Sequence, residues 1–587
     1  MASYSGSLCL MMLQPRMELN CISFSSAKAA QASAKEVTTA TARASHLHRR
    51  KWEVLSGLSG SNLMIRKGLG HRRGDETETP SCCATISSPS QTRHSSSRGK
   101  IFRRVIADRG TATTEEALIQ DVAKEKEEKV EYNWEEEWYP MYLTAEMPTN
   151  SPLGLTVFDR SLVLFYDGQG KINCFEDRCP HRLAKLSEGQ IMDGNLECLY
   201  HGWQFDGSGT CVKIPQLAPG AKIPKTACAR KYEVRESQGV IWVWLSQKTP
   251  GDPKKLPWFE HFAREGFVDT SSIHELPYDY SILLENLMDP AHIPISHDRT
   301  DTSAKRENAK ALVFEVTERT SRGFAGKWGE IGSPTLPNTT RFEAPCCLRN
   351  DKEIVDKDGK TQYYSAQFLC RPAGQGKSML LLRFGGTDLG EQLKWFPSWL
   401  IHMNNNTVFE QDMGFLSSQN ETLVRKNVAT KDLYLNLKSS DTWVTEYRKW
   451  LDLTGHGMPY YFGHRSVSQS PNLAIAEAAP AGLVAATASS YPAKGSFGAM
   501  FARDPTNRYF RHVVHCKSCL GMLNRFKKFQ KIGVVLGALS TGVAITLSTV
   551  AWRATFVVLA LLMFAGAYAC TRGVAALTQN FIRVHRR

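Results

Sequence analysis

The chain has 587 residues, a formal net charge of +14, 42% hydrophobic residues and 15 cysteines. One hydrophobic core seldom exceeds about 250–300 residues, so two or three domains are expected. The excess charge is terminal: residues 1–100 hold 14 Lys+Arg against 6 Asp+Glu and residues 511–587 hold 11 against none, leaving a mildly acidic middle; without a basic stripe laced with aromatics it is no nucleic-acid binder.

In chain order, residues 1–110 are rich in Ser, Thr, Ala and Arg, with runs such as "SFSSAKAAQASAK" and "SSPSQTRHSSSRGK". That is the composition of an organelle transit peptide, without the apolar core of a secretory signal. Residues 111–137 form an acidic lead-in to the mature protein. From 138 to 250 short apolar runs alternate with turn residues, as in "SLVLFYDGQGK" and "YEVRESQGVIWVWLS", which predicts a small all-β domain. Residues 251–475 begin with the connector "GDPKKLPWF" and then show a helix at "YSILLENLMDPAH". Longer strands follow, then helices at Trp399–Val424 and Asp441–Leu453. Strands with helices on one side predict an α+β fold for this second domain.

Residues 476–531 read as a linker, and 572–587 as a basic tail. Between them Ile532–Trp552 and Ala554–Thr571 are almost uncharged, separated by Arg553; each approaches the ~20 residues that span a bilayer. A two-helix transmembrane hairpin is expected, with cationic flanks that place both ends and the large domains on one side of the membrane.

The cysteines show no regular paired framework, which excludes a disulfide scaffold. Four residues stand out in "CPHRLAKLSEGQIMDGNLECLYHGW": Cys179, His181, Cys198 and His201, spaced C-x-H-x16-C-x2-H. Such a set could hold one zinc or a two-iron, two-sulfide cluster with cysteines on one iron and histidines on the other. The order favours the cluster, because each short loop can give one ligand to each iron. The residues resemble a Rieske centre, in the form that lacks an additional cysteine in each loop and so is similar to the oxygenase type. Histidine ligation raises the potential above that of a plant-type ferredoxin, which makes ferredoxin a downhill electron donor.

In "ENLMDPAHIPISHD", Asp289, His292 and His297 are spaced D-x2-H-x4-H. Asp289 and His292, three apart, share a helix face; Pro294 is expected to break the helix so that His297 swings back. Two imidazoles and a carboxylate make the facial triad of a mononuclear Fe(II) site, which leaves positions for O2 and substrate. The carboxylate is assigned to Asp412, which interrupts an apolar helix face and so needs a buried partner. Glu410 lies among polar neighbours, and Asp298 reads as a loop cap.

From about Trp138 to Leu523 the chain resembles the chloroplast Rieske oxygenases that include pheophorbide a oxygenase and chlorophyllide a oxygenase, on phrases such as "GLTVFDRSLVLFYDG", "ILLENLMDPAHIPISHDRTD", "FEQDMGFLSSQNE" and "KDLYLNLKSSDTWVTEYRKW". The resemblance implies an inner-envelope monooxygenase with its catalytic domain facing the stroma. It implies ferredoxin-dependent hydroxylation of a tetrapyrrole chlorophyll catabolite, a phyllobilin. It assigns Asp289 as the carboxylate that carries an electron between His201 of one subunit and His292 of the next, hence a homotrimer, and places Asn286 near the iron. The group also includes a member assigned to the protein-import translocon, and a C-terminal CxxC, here Cys516 and Cys519, proposed as a thioredoxin target. On residues alone that CxxC is either a redox-regulatory dithiol, with His515 and Lys517 favouring a thiolate, or a pair of unremarkable cysteines. A zinc site is disfavoured because no second CxxC accompanies it. The alternative function is a redox-sensing translocon subunit, which has no use for His292, His297 and Asp412.

Overall fold

The computed structural model describes residues 132–582 apart from 301–303, 356–358, 375, 390–395, 427–429, 456–457 and 459–503. The expected transit peptide, most of the acidic lead-in, part of the linker and three of the basic tail's four arginines lie outside the described residues.

The first domain has ten strands: β1 (Trp138–Leu143), β2 (Leu153–Val157), β3 (Arg160–Tyr166), β4 (Ile172–Glu176), β5 (Gln190–Met192), β6 (Asn195–Cys198), β7 (Trp203–Phe205), β8 (Cys211–Lys213), β9 (Lys231–Ser237) and β10 (Val240–Trp244). Six form an antiparallel sheet in the order β1-β10-β9-β4-β3-β2, and β5-β6-β7-β8 form a smaller one. The β3–β4 turn follows its sequence: Asp167 accepts the Gln169 and Lys171 N–H groups, each at 3.0 Å, while Gly170 supplies φ +74°. β10, Val-Ile-Trp-Val-Trp, is buried throughout because the second domain covers the face that alternation would leave to water.

The lead-in is less peripheral than its acidity suggests. Trp134 is fully buried and donates its indole N–H to the Thr454 carbonyl at 2.8 Å. Glu137 is buried too, paired with Arg322 at 2.6 Å and Lys255 at 3.4 Å. The folded unit thus begins at least six residues before the expected boundary at 138, with Tyr132.

The second domain is built on seven antiparallel strands, β11 (Val268–Leu276), β12 (Leu312–Thr320), β13 (Gly323–Glu330), β14 (Asn338–Glu343), β15 (Cys347–Val355), β16 (Thr361–Gly374) and β17 (Lys377–Gly386), in the order β11-β17-β16-β15-β14-β13-β12. Helices α1 (Tyr280–Met288), α2 (Ile293–Ser296), α3 (Ser398–Lys426) and α4 (Thr442–Thr454) complete it. α1 is buried over its first two turns, and its Glu285 is ion-paired to Arg448 of α4 and accepts from Tyr434 Oη at 3.2 Å. The expected α+β architecture and both long helices are present.

Three more α-helices follow among the described residues: α5 (Arg508–Arg511), α6 (Lys517–Thr546) and α7 (Val550–Thr578). Both α6 and α7 are long and apolar enough to cross a membrane. They meet through small residues, Gly533, Gly537, Ser540 and Ala544 against Ala560 and Ala567, the close-approach packing of helices in lipid. A Cβ on Gly537 would come within 2.8 Å of the Phe564 ring. Two expectations need correction. The hairpin turns at Leu547–Thr549, not at Arg553; Arg553 lies in the first turn of α7 and donates to the Leu547 carbonyl at 2.7 Å, capping the end of α6. The described end of the supposed linker, from 504, is ordered structure packed on the second domain, because Arg508 and Arg511 pair with Glu410 of α3.

Candidate redox and oxygenation sites

The four residues of the first motif converge at the tip of the small sheet. Cys179 N donates to the Ala184 carbonyl at 2.8 Å, Leu183 N to the Cys179 carbonyl at 2.9 Å, and Gly202 N to the Cys198 carbonyl at 2.8 Å. Each pair of ligands is thereby held in a closed loop, helped by positive φ at Leu183 and Gly202. Asp177 braces the first loop by accepting Ser187 N at 2.7 Å and Ser187 Oγ at 2.6 Å. The sulfurs of Cys179 and Cys198 are buried, and the His181 and His201 rings lie 4.4 Å apart. His181 stacks on Trp203 at 4.6 Å, with the planes 4° apart.

These residues fit a Rieske cluster. Burial, opposed by the His181 backbone N–H and reinforced by Cys198, pushes the Cys179 thiol up to about 11, so it takes a metal to hold Cys179 as a thiolate. His181 Nδ1 is buried and has no hydrogen-bond partner among the described residues, as expected of an atom that binds iron. Leu183, Leu199 and Tyr200 stand 58–63% exposed around the histidines, an apolar collar at the tip.

The second set also converges. His292 Nε2 and His297 Nε2 lie 3.5 and 3.2 Å from Asp412 Oδ2, and the three ligand atoms fall within 4.8 Å of one another. The route differs from the expected one. α1 ends at Met288 with Asp289 as its cap, because the residue before Pro290 avoids helical torsions. Pro294 starts the short α2 instead of breaking a helix. Asp289 and His292 therefore meet across a turn, Oδ2 to Nδ1 at 3.5 Å, with Asp289 Oδ1 accepting Ala291 N at 2.7 Å.

Asp412 belongs to the buried stripe of α3, with Phe409, Met413 and Leu416, and Ser296 Oγ donates to its Oδ1. Burial favours the neutral acid, but His292 and His297 outweigh it and hold Asp412 well below the usual carboxylate range. Around His292 burial likewise opposes charge, and Asp289 and Asp412 together raise it to about 10. This surplus of negative charge on two imidazoles is what a divalent cation would neutralise.

Gln411 was not legible as a site residue. Its Oε1 accepts from His297 Nδ1 at 2.8 Å and from Thr300 Oγ1 at 2.8 Å. Asn286 Nδ2 lies 3.4 Å from both His292 Nε2 and Asp412 Oδ2. Glu410, set aside above, binds Arg508 at 2.7 and 2.9 Å instead, and Asp298 accepts Arg306 N at 3.0 Å as the expected loop cap.

His292 and Asp412 line a cavity of roughly 1400 Å³. Its wall includes Ile295, Phe415, Leu433 and Tyr434, and also Phe581 and Ile582, three and four residues past the end of α7. Cys516 and Cys519 lie elsewhere, buried together beside His402 and His512.

The family description "Rieske [2Fe-2S] domain" matches residues 137–232, and "Pheophorbide a oxygenase" matches residues 342–429. Protein TIC 55, chloroplastic, of Pisum sativum is 60% identical over 79% of this chain and 84% of its own length. The Arabidopsis thaliana protein of the same name is 57% identical over 84% and 92%. Pheophorbide a oxygenase, chloroplastic, of Arabidopsis thaliana is 30% identical over 85% of this chain and 94% of its own length. With a cluster-binding tip, a two-histidine-one-carboxylate pocket and these relatives, the chain belongs to the pheophorbide a oxygenase-like family of Rieske non-haem iron oxygenases.

Proposed function

We propose that this oxygenase is a monooxygenase of the chloroplast inner envelope that takes electrons from reduced ferredoxin and hydroxylates an amphiphilic tetrapyrrole, a chlorophyll catabolite of the phyllobilin class. The carrying observation is the cavity, which starts at the triad, is large enough for a tetrapyrrole, and ends on residues continuous with a membrane helix. A substrate that partitions at a bilayer surface would reach the pocket without crossing open water.

When bound, the cluster supplies single electrons and the ferrous site activates O2. The protein's part is positional. Asp289 Oδ2 lies 3.5 Å from His292 Nδ1, and Gln411 Oε1 accepts from His297 Nδ1, which leaves the Nε2 atoms of both rings facing Asp412, where they would hold the metal. Ser296 fixes the Asp412 carboxylate by holding Oδ1, leaving Oδ2 toward the histidines. Asp289 is partly exposed, and the cluster tip carries its own exposed apolar collar. Both features suit a homotrimer in which the tip of one subunit seats against Asp289 of the next, His201 to Asp289 to His292. The redox-sensor reading leaves the triad without a task.

The test incubates the purified chain with reduced ferredoxin, O2 and a panel of tetrapyrroles, including phyllobilins. A product heavier by one oxygen atom is expected, with about three irons per chain. About two irons per chain and no product from the panel would favour the sensor.

A further inference from the structure

We propose that His402, His512, Cys516 and Cys519 form a structural zinc site that fastens the membrane hairpin to the catalytic domain. The four residues come from three places: His402 from the second turn of α3, His512 from just after α5, and the cysteines from the start of α6. Their side chains nevertheless meet. Cys516 Sγ is 3.3 Å and Cys519 Sγ 3.5 Å from His402 Nδ1, and Cys519 Sγ is 3.3 Å from His512 Nε2. A tetrahedral zinc with bonds of about 2.0–2.3 Å requires ligand-to-ligand edges of about 3.3–3.8 Å. The three sulfur–nitrogen separations match that range. All four donor atoms lie within 4.8 Å of one another, the sphere of a single ion.

Closure and the surrounding hydrogen bonds agree. The four residues are 0–2% exposed, which leaves no open position for water, as in structural zinc sites. His512 Nδ1 lies 2.8 Å from the Ile273 carbonyl of β11; donating there fixes the tautomer that turns the Nε2 lone pair to Cys519. Cys516 caps α6, its sulfur accepting Cys519 N at 3.4 Å, so a thiolate there also meets the positive end of the helix. Two thiolates and two imidazoles in a tetrahedron select zinc among the divalent ions that use such donors. The pattern is H-x3-C-x2-C with a fourth ligand 110 residues upstream, which is why the lone CxxC looked incomplete.

The experiment uses the full chain in detergent with both iron sites loaded, analysed for metals and by X-ray absorption at the zinc edge. One zinc per chain is expected, with two sulfur neighbours at about 2.3 Å and two nitrogens at about 2.0 Å. In Cys516→Ser the sulfur count should fall to one, and the native protein should resist thiol alkylation at 516 and 519. An iron-replete chain without zinc, or zinc with only nitrogen and oxygen neighbours, overturns the proposal. So does a native protein whose Cys516 and Cys519 alkylate freely or close into a disulfide while the iron stays bound. The wild-type spectrum decides the matter even if the variant fails to fold.

Discussion

Helix α3 carries two ligand sets ten residues apart, about 15 Å along its axis, and they differ in kind. Near its start His402 enters a closed group of four buried donors. Further on, Asp412 enters an open group of three, beside a cavity of roughly 1400 Å³. Four closed ligands hold an element in place; three open ones leave room for chemistry. Burial alone does not separate the two, since Asp412 and His297 are also 4–6% exposed. What separates them is the number of donors and whether the cavity reaches them.

Removing a ligand from the open set should have the largest effect on turnover. Asp412→Ala is expected to take product formation below detection while the EPR signal of the reduced cluster is unchanged, because the cluster loops share no residue with α3. Iron should fall from about three to about two per chain, with the His402 set still loaded. Loss of zinc together with that iron would show that the two sets are one folding unit, and the contrast between them would break.

Next comes the residue beside the triad that binds no metal. Asp289→Asn keeps the shape of the turn but removes the charge facing His292 Nδ1. Substitution behind a ligand typically costs about 10–100-fold, and here the loss should appear as slow reoxidation of the pre-reduced cluster in the presence of substrate and O2, with three irons retained. Normal reoxidation would remove Asp289 from the electron path. Gln411→Leu, which deletes the acceptor for His297 Nδ1, should cost about tenfold. Excess ferrous ion should partly restore it, since the ring is left to choose its tautomer.

The same contrast explains what sequence could reveal. The four residues that converge at the tip of the small sheet were legible because they lie within 23 residues and their spacing maps onto two adjoining loops. Asp412 was legible more indirectly, as a carboxylate on the apolar face of a helix whose other acid, Glu410, had polar neighbours; the structure gives that acid two arginine partners. The break before His292 was misplaced because two prolines compete, and only packing shows that Pro290 ends α1 while Pro294 opens α2. His402 and His512 carried no signal at all. Their partnership with the CxxC arises from the way β11, α3 and α6 meet in space, and no local periodicity encodes it. Trp134 and Glu137 were hidden by acidic neighbours for a similar reason: Arg322 and Thr454, far along the chain, make them core.

The smallest expected effect belongs to Ser296, whose hydroxyl touches the open set only through the far oxygen of Asp412. A hydrogen bond to a charged group is worth about 1.5–3 kcal/mol when its loss leaves the charge unsatisfied. In Ser296→Ala, however, Asp412 lines the cavity, and water reaching its carboxylate would take up much of that deficit. The carboxylate would still reach the histidines through Oδ2 but would rotate more freely. A few-fold weakening of iron affinity is therefore expected, below the range for Gln411→Leu, with turnover at saturating iron nearly unchanged. The comparison that matters is with zinc content, which should not move at all, because the closed set shares only the backbone of α3 with Asp412. If Ser296→Ala instead lowers turnover at saturating iron as strongly as Asp289→Asn, the serine acts on the bound substrate or O2 and not on the carboxylate alone.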